Sequence, residues 1–248
     1  MSPVIHCYCV TWNEEVILPY FLRHYSSFCQ KIIIYDQYST DKTHDILKSF
    51  THSTCEVIVR LWGENEKFND FNNLAIKQNA YKESRGKADW VIISDCDEFL
   101  YHPILQEKLL YYKNIGINLP KVKGYNMMPD CEIDSMINLP DVYNIGEPYH
   151  MYDKPMIFDP ALELKFSAGC HWLEYASENT KTSCDNEFLF LLHYRKLNLK
   201  YWIERSQQLG KRLSDINLRA NMGTHNLRNT DELIKDYNES LKNVVKVY

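Results

Sequence analysis

The stretch Trp90-Val91-Ile92-Ile93-Ser94-Asp95-Cys96-Asp97-Glu98-Phe99 carries the clearest fold signal in this chain of 248 residues. Its first half is a short apolar run, which is typical of a strand covered on both faces. This strand delivers Asp95 and Asp97, and a spacing of two puts both carboxylates on one face of an extended segment. Paired carboxylates suit Mg²⁺ or Mn²⁺, which proteins usually share with substrate phosphates. The stretch therefore predicts a buried strand with a metal site at its end.

The residues before this stretch alternate between strand and helix patterns. Alternation of this kind favours parallel strands joined by helical crossovers, and hence an open α/β sheet. Ligands of such sheets bind beyond the carboxyl ends of the strands, so the candidate site residues fall within 11–14, 36–41, 63–66 and 95–99. The predicted strands are Val4–Val10, Lys31–Tyr35 and Glu56–Trp62. Of the predicted helices in this half, the first begins at Asn13, the second is short and runs through Phe50, and the third covers residues 69–84.

After residue 113 the pattern is looser, with recurring proline and glycine. Short strands are predicted at Lys121–Tyr125, Pro155–Phe158 and Phe188–Leu192, and two helices at Leu199–Ser214 and Asp231–Val245. No stretch resembles a linker that would divide the chain. We therefore expect a single domain over residues 1–248, with 1–113 and 114–248 as its two halves.

The composition excludes several classes of protein. A net charge of -5 and a pI near 6.0 disfavour a nucleic-acid partner, because binding to the phosphate backbone depends on an excess of Lys and Arg. The apolar stretches are far shorter than a membrane span of about 20 residues, and the first residues lack a basic leader. These features predict a cytoplasmic protein. Its eight cysteines form no C-x-x-C pair, which favours reduced, buried thiols over a zinc cage.

Three motifs at predicted strand ends together point to one group of enzymes. They are Val10-Thr11-Trp12-Asn13-Glu14, the Asp-x-x-Ser-x-Asp-x-Thr pattern from Asp36 to Thr43, and Asp95-Cys96-Asp97. In this order they resemble the motifs of nucleotide-sugar-dependent glycosyltransferases of the GT-A fold, near family 2 and its Asp-x-Asp-Glu-Phe relatives. The resemblance covers most of the chain and is strongest over residues 4–101. It implies a Rossmann-like open sheet with helices on both faces, followed by a loop-rich, mixed C-terminal half.

The resemblance also implies the reaction and its ligands. The donor would be a nucleoside-diphosphate sugar, with a UDP-sugar expected, and the acceptor a hydroxyl of a glycan or a similar molecule. The chemistry of the transfer agrees with a metal site, because the departing diphosphate collects negative charge that Mn²⁺ or Mg²⁺ neutralises. Positive side chains placed near the phosphates would add to this effect.

Positions that match the family motifs supply the candidate binding residues. His193 follows the predicted strand Phe188–Leu192, and a neutral imidazole is a good ligand for Mn²⁺-class metals. Three alternatives stay open: a helix cap for Asn13, a solvated helix face for Lys77 and an ordinary core histidine for His193. The resemblance assigns Thr11, Asn13, Glu14, Asp36, Lys77, Asp95 and Lys154 to donor binding, and Asp95, Asp97 and His193 to the metal.

The acceptor side and the catalytic base are less defined. By the same resemblance His171 faces the acceptor, and Trp172 could stack on a sugar ring. A transferase that inverts the anomeric carbon needs a carboxylate or histidine to take the proton of the acceptor hydroxyl. We single out Glu174 and His171 for this role, with Asp130 and Asp153 as further possibilities, and leave the stereochemistry open.

Two other functions are compatible with the paired aspartates. A phosphatase or phosphotransferase of the haloacid-dehalogenase type also carries Asp-x-Asp after a strand. It would place the motif at the first strand and a small residue two positions after the second aspartate, where this chain has Phe99. The second alternative is an inactive module that binds a nucleotide or sugar, which the intact Asp95 and Asp97 disfavour.

Overall fold

The computed structural model of the chain describes residues 2–63, 67–129, 137–184 and 186–248. The strand-end positions 64–66 and the candidate base Asp130 lie outside the described residues. Seven of the cysteines are described, and all seven are free thiols, of which Cys184 alone is exposed. Among the described helices, none combines the length and the apolar character needed to cross a membrane.

The first sheet forms the predicted open α/β half. Four of its strands are parallel neighbours, and a short fifth strand pairs antiparallel with the last of them. The sheet has the order β3-β2-β1-β4-β8, with β1 (Ile5–Thr11), β2 (Lys31–Asp36), β3 (Glu56–Leu61), β4 (Trp90–Asp95) and β8 (Ile157–Phe158). Its crossovers contain α1 (Leu18–Ser26), α2 (Thr43–Ser49) and α3 (Asp70–Ala80) with a 3₁₀ turn at Tyr81–Ser84. The predicted α/β class and strand–helix alternation are confirmed.

The first helix begins later than its sequence suggests. Asn13 does not cap a helix, because its backbone has a φ of 50° and α1 starts only at Leu18. The Asn13 side chain instead accepts a hydrogen bond from the amide of Thr40 at 2.7 Å and donates one to the Thr40 hydroxyl at 3.1 Å. The prediction of a helix from Asn13 is therefore wrong. The residue ties together the loops that follow β1 and β2.

A second sheet, which the sequence predicts only in part, fills the other half. It has the order β12-β7-β6-β11-β5, with β5 (Glu98–Tyr101), β6 (Val122–Met127), β7 (Ile145–Pro148), β11 (Leu189–His193) and β12 (Val245–Lys246). The remaining elements are the hairpin β9 (Leu164–Phe166) and β10 (Leu173–Ala176), and the helices α4 (Leu105–Asn114), α5 (Leu139–Val142), α6 (Leu199–Lys211), α7 (Asp215–Arg219) and α8 (Thr230–Lys242). The mixed, loop-rich second half is thus confirmed.

The two sheets meet at the aspartate motif. Strand β4 of the first sheet ends at Asp95 and β5 of the second begins at Glu98, so Cys96 and Asp97 form the corner between the sheets. Strand β11 pairs antiparallel with β5 and places His193 opposite Glu98. Apolar residues of both sheets belong to one core cluster. The two sheets therefore share one hydrophobic core, and the single domain over residues 1–248 stays a prediction.

Candidate active site

A cavity of about 420 Å³ opens at this corner, beyond the carboxyl ends of β1 and β4. Helices α3 and α6 contribute to its walls, together with residues 168–171 and 222–226. The cavity collects most of the predicted site residues from distant parts of the chain. Those that line it are Thr11, Glu14, Lys77, Asp95, Asp97, Lys154, His171 and His193.

Asp97 and His193, both predicted metal ligands, lie in direct contact. Nε2 of His193 is 3.2 Å from Oδ2 of Asp97, and the backbone amide of Tyr194 donates to the Asp97 carbonyl at 2.7 Å. Burial alone would raise the pKa of Asp97, but His193 and then Arg195 and Arg205 hold this pKa well below its usual range. Asp97 is therefore an anion at neutral pH, beside an imidazole.

Asp95 pairs with a buried lysine instead of with His193. Nζ of Lys77 is 2.5 Å from Oδ1 of Asp95, and only 6% of the lysine side chain is exposed. Burial opposes the ionisation of Asp95, but Lys77 and then Lys154 lower its pKa. Helix α3 thus turns Lys77 toward the cavity, and not toward solvent as the alternative interpretation held.

A second buried ion pair stabilises the corner between the two sheets. The Lys154 ammonium group pairs with the carboxylate of Glu98, and both side chains are almost fully buried. The other carboxylate oxygen of Glu98 accepts a hydrogen bond from the amide of Asp95 at 3.2 Å. Because Glu98 holds both the turn and the lysine, it fixes the position of the aspartate motif and of a cation next to it.

On the opposite wall of the cavity, the loop after β1 contacts helix α6. Arg205 of α6 forms a buried ion pair with Glu14 and donates to the carbonyls of Trp12 at 3.0 Å and Asn13 at 3.1 Å. Burial raises the pKa of Glu14, and the guanidinium of Arg205 paired with it acts in the opposite direction. Next to this pair, the guanidinium of Arg212 lies 3.9 Å from the centre of the Trp12 ring. The result is a flat, cationic wall.

His171 has a defined tautomer and an open nitrogen. Its Nδ1 is 2.9 Å from the carbonyl oxygen of Met151, so Nδ1 carries the hydrogen and donates it. Nε2 has no hydrogen-bond partner among the described residues, and it retains its lone pair. Burial, followed by the charge of Lys154, lowers the pKa of His171 from its ordinary value. The imidazole is therefore neutral at pH 7 and able to accept a proton.

Three predicted site residues do not line the cavity. The buried carboxylate of Asp36 accepts from Ser39 and pairs with His44 at 2.9 Å, which stabilises the loop after β2. Asn13 holds that loop from the other side, as described above. Glu174 is exposed on β10 and forms an ion pair with Lys165 at 2.8 Å. The structure therefore does not bring Glu174 together with the other candidates.

The cavity also contains functional candidates that the sequence analysis missed. Arg205 lies three residues after Trp202 and four before Leu209, so a charged residue occupies the inward face of a predicted helix. This is a signal that could have been used. Asp70 comes from the start of α3 and His225 from a 3₁₀ turn at Thr224–Leu227, and no local pattern distinguishes them. Among the described lining residues, the cations Lys77, Lys154, Arg195, Arg205 and Arg212 balance the acids Glu14, Asp70, Asp95, Asp97 and Glu98.

The structure brings together only some of the residues that were predicted to bind a metal ion. Within the described parts of the chain, no three His, Cys, Asp or Glu side chains are grouped closely enough to hold a metal ion. Asp97 and His193 provide one carboxylate and one imidazole in contact, whereas Asp95 is turned to Lys77. Two protein ligands completed by substrate oxygens are a usual arrangement for Mg²⁺ and Mn²⁺, so this pair fits such an ion.

A family of known proteins and several solved structures are similar to this chain. The sequence profile of glycosyltransferase family 92 matches residues 2–243. No curated protein matches the chain at a significant level. Among solved structures, S. aureus TarS 1-349 has 12% identity and a TM-score of 0.48, covering 84% of this chain and 65% of its own. TarS 1-349 in complex with UDP-GlcNAc gives 14% identity, a TM-score of 0.49 and coverages of 84% and 66%. The chain thus spans slightly less than two thirds of these TarS chains.

Proposed function

The chain belongs to glycosyltransferase family 92, and from this premise we propose that it transfers a sugar from a nucleoside diphosphate to a hydroxyl of a glycan or similar acceptor. The observation that carries the proposal is the corner between the two sheets. There, Asp97 and His193 touch each other, and cations from α3, α6 and the middle loops surround them. A leaving diphosphate requires this kind of environment.

The diphosphate would lie between the aspartate corner and Arg195. The guanidinium of Arg195 donates to Nε2 of His225 at 3.3 Å and to the side chain of Asn226, which orients it along the cavity. Its Nε is buried and has no hydrogen-bond partner among the described residues. Because an arginine fork matches phosphate oxygens well, Arg195 supports the proposed position.

We assign the divalent cation to Asp97 and His193, with Asp95 as a further ligand once it releases Lys77. When bound, such a cation would offset the charge that develops on the diphosphate. The charge balance of the cavity supports this assignment. Its five cations already face five acids among the described lining residues, so an incoming diphosphate brings uncompensated negative charge. Mn²⁺ or Mg²⁺ would restore the balance.

We assign the role of catalytic base to His171, and not to Glu174. The acceptor oxygen forms a bond to the anomeric carbon, while the bond from this carbon to the phosphate oxygen breaks and the diphosphate leaves with the electron pair. The hydroxyl proton passes to Nε2 of His171, whose Nδ1–H stays on the Met151 carbonyl. A direct attack of this kind inverts the anomeric carbon, and the anomeric configuration of the product by NMR tests this step.

The pH dependence of the rate gives a second test of His171. Since burial lowers the pKa of His171, kcat should be constant above neutrality and fall as the pH drops through this lowered pKa. His171→Gln should lower kcat by about 100-fold and remove this acid limb. Glu174→Gln is the matched control and should keep both. The opposite pattern would move the base to Glu174.

Thermal shifts with a panel of ligands test the donor and the metal. Nucleoside diphosphates and their sugars, UDP-sugars first, are added with and without Mn²⁺, and a ligand at 100 times its Kd should stabilise the protein by about 2.7 kcal/mol. The stabilisation should require Mn²⁺ and disappear in Asp97→Asn. The unliganded Tm of this variant should also be lower, because the folded protein loses the attraction of Asp97 to His193, Arg195 and Arg205. A panel without any stabilising nucleotide would contradict the proposal.

A further inference from the structure

A second cavity of about 410 Å³ adjoins the first and has no role in the donor chemistry described so far. It lies between the second sheet and the C-terminal helices. Four residues line both cavities: Tyr152, His171, Arg195 and His225. The proposed base and the proposed phosphate ligand thus stand on the shared wall. A molecule bound in the second cavity could present one of its groups directly to His171.

A row of rings connects the two cavities. Tyr149 and Tyr152 have ring centres 5.2 Å apart, and the centre of Tyr152 is 4.2 Å from that of His193. The row continues from Tyr152 to His171 at 6.4 Å and from His171 to Trp172 at 6.3 Å. Tyr149 is 39% exposed and Trp172 is 57% exposed. Aromatic faces that remain open to solvent suit the apolar faces of sugar rings.

The polar groups of the second cavity suit hydroxyl groups. Oε2 of Glu147 accepts hydrogen bonds from Ser240 at 2.7 Å and from Asn126 at 3.3 Å. Oε1 accepts one hydrogen bond, from Asn243 at 3.5 Å. A carboxylate accepts up to about four hydrogen bonds, so Oε1 retains capacity for a further donor. Ligand sites typically combine a few placed polar groups of this kind with aromatic walls.

The charges of this cavity indicate an uncharged ligand. Asp236 pairs with both Lys196, at 2.7 Å, and Arg228, at 3.1 Å, so neither cation is free for a substrate. Arg195 faces the proposed diphosphate. Among the described lining residues, the two remaining cations, Lys196 and Arg228, therefore stand against the three acids Glu147, Asp236 and Glu239, and no positive excess is left for an anionic group.

We infer that the second cavity is the acceptor subsite and that it holds an uncharged hexopyranose residue. The ring stacks on Tyr149, a neighbouring unit of a longer glycan meets Trp172, and Glu147 accepts a hydroxyl hydrogen bond. The reacting hydroxyl points to Nε2 of His171. This inference rests on the proposed function, since it names the acceptor of the same transfer.

Saturation-transfer NMR tests the subsite with known probes. The probes are methyl glucoside, galactoside and mannoside, with glucuronate and glucose 6-phosphate as anionic counterparts, added to the protein with Mn²⁺ and the best nucleoside diphosphate. At least one neutral glycoside should bind, and both anionic sugars should bind more weakly. Tyr149→Ala and Glu147→Gln should each weaken this binding by about tenfold, equivalent to about 1.4 kcal/mol. Selective binding of an anionic sugar, or no binding of any glycoside, would overturn the inference.

A matched control and an independent readout separate the two proposals. Tyr111→Ala removes a tyrosine of similar exposure, 47%, that lines neither cavity, and should leave glycoside binding unchanged. The thermal shift produced by the nucleotide should be the same in all three variants, because none touches the donor cavity. If no nucleotide raises the Tm of the parent protein, the proposed function is refuted. If glycoside binding is unchanged in Tyr149→Ala and Glu147→Gln, the subsite alone is refuted.

Discussion

Gly169 determines where the ring of His171 lies. Its φ of +71° belongs to the left-handed region, and a Cβ at this position would be 2.7 Å from both Cδ2 and Nε2 of His171. Contacts that short do not occur, so a side chain at 169 must displace the imidazole. The glycine therefore serves the site directly, since the displaced atom is the one proposed to accept the proton.

Gly169→Ala should accordingly impair catalysis more than stability. The left-handed backbone costs the alanine about 1–2 kcal/mol, and displacement of the ring should lower kcat by at least about tenfold. Gly86→Ala is the matched control, because Gly86 has a φ of +68° and no heavy atom within 4 Å of the new Cβ. Chemical denaturation and steady-state kinetics measure both effects. Equal kcat values for the two variants would mean that the position of the His171 ring is not critical.

Individual residues were predictable from sequence where they end a buried strand. Asp95, Asp97 and His193 follow apolar runs, and parallel or adjoining strands carry their ends to the same edge. Asp36 also ends a strand, but Ser39 and His44 lie within reach along the chain and occupy its carboxylate. Such short-range competition is not visible in a motif. The motif therefore indicated the edge of the sheet at which these side chains lie, without distinguishing a cavity-lining residue from a loop-stabilising one.

At the scale of elements, α6 locks the C-terminal half onto the first strand. Its Arg205 meets two backbone carbonyls and the carboxylate of Glu14. Both charged groups are buried, and removal of one would leave the other without its partner in a region of low polarity. The interaction thus joins residues almost two hundred positions apart.

Arg205→Met should destabilise the protein by about 3 kcal/mol, and Glu14→Met should by itself have a similar effect. The double variant should lose less than the sum of the two, because no unpaired charge remains. Urea denaturation of the four proteins provides this cycle. The exposed pair Lys200 and Glu204 on the same helix, 4.0 Å apart, is the control and should contribute less than about 0.5 kcal/mol. Strict additivity at Arg205 and Glu14 would contradict the coupling.

Elements of the second sheet were harder to predict than those of the first. The four parallel strands of the first sheet have six or seven residues and are joined by helices, which yields a regular pattern. The second sheet includes strands of two and four residues, and β11 pairs with β5 and β6 from much earlier in the chain. Local sequence carries little information on pairings of this kind. The proposed acceptor subsite, which rests on this sheet, was correspondingly hard to predict from sequence.

At the scale of the whole molecule, the corner between the two sheets packs against the hydrophobic core that stabilises the fold. Helix α1 packs on this corner through His24, which is almost fully buried and whose Nε2 lies 2.8 Å from the carbonyl oxygen of Leu100 in β5. The surrounding rings include Tyr25 and Phe99. Burial lowers the pKa of His24 to about 4. The neutral ring is therefore part of the folded state.

This buried histidine makes the fold sensitive to acid. In the unfolded chain a histidine has a pKa of about 6.5, so between pH 6.5 and 4 the unfolded state binds a proton that the native state does not. The unfolding free energy should therefore be fully retained above pH 6.5 and decrease as the pH falls toward 4, by about 3 kcal/mol from His24 alone.

His24→Phe should reduce this pH dependence while lowering the stability at pH 7 by about 1 kcal/mol, because the Leu100 carbonyl loses its donor. Urea denaturation at pH 7 and pH 4 measures the difference for each protein. His52→Asn removes an exposed histidine after α2 and should leave the difference unchanged. An equal loss of stability on acidification in His24→Phe and in the parent would show that other groups govern the acid response. The proton would then act on another histidine, above all His225, whose pKa is lowered to about 4, mainly by desolvation.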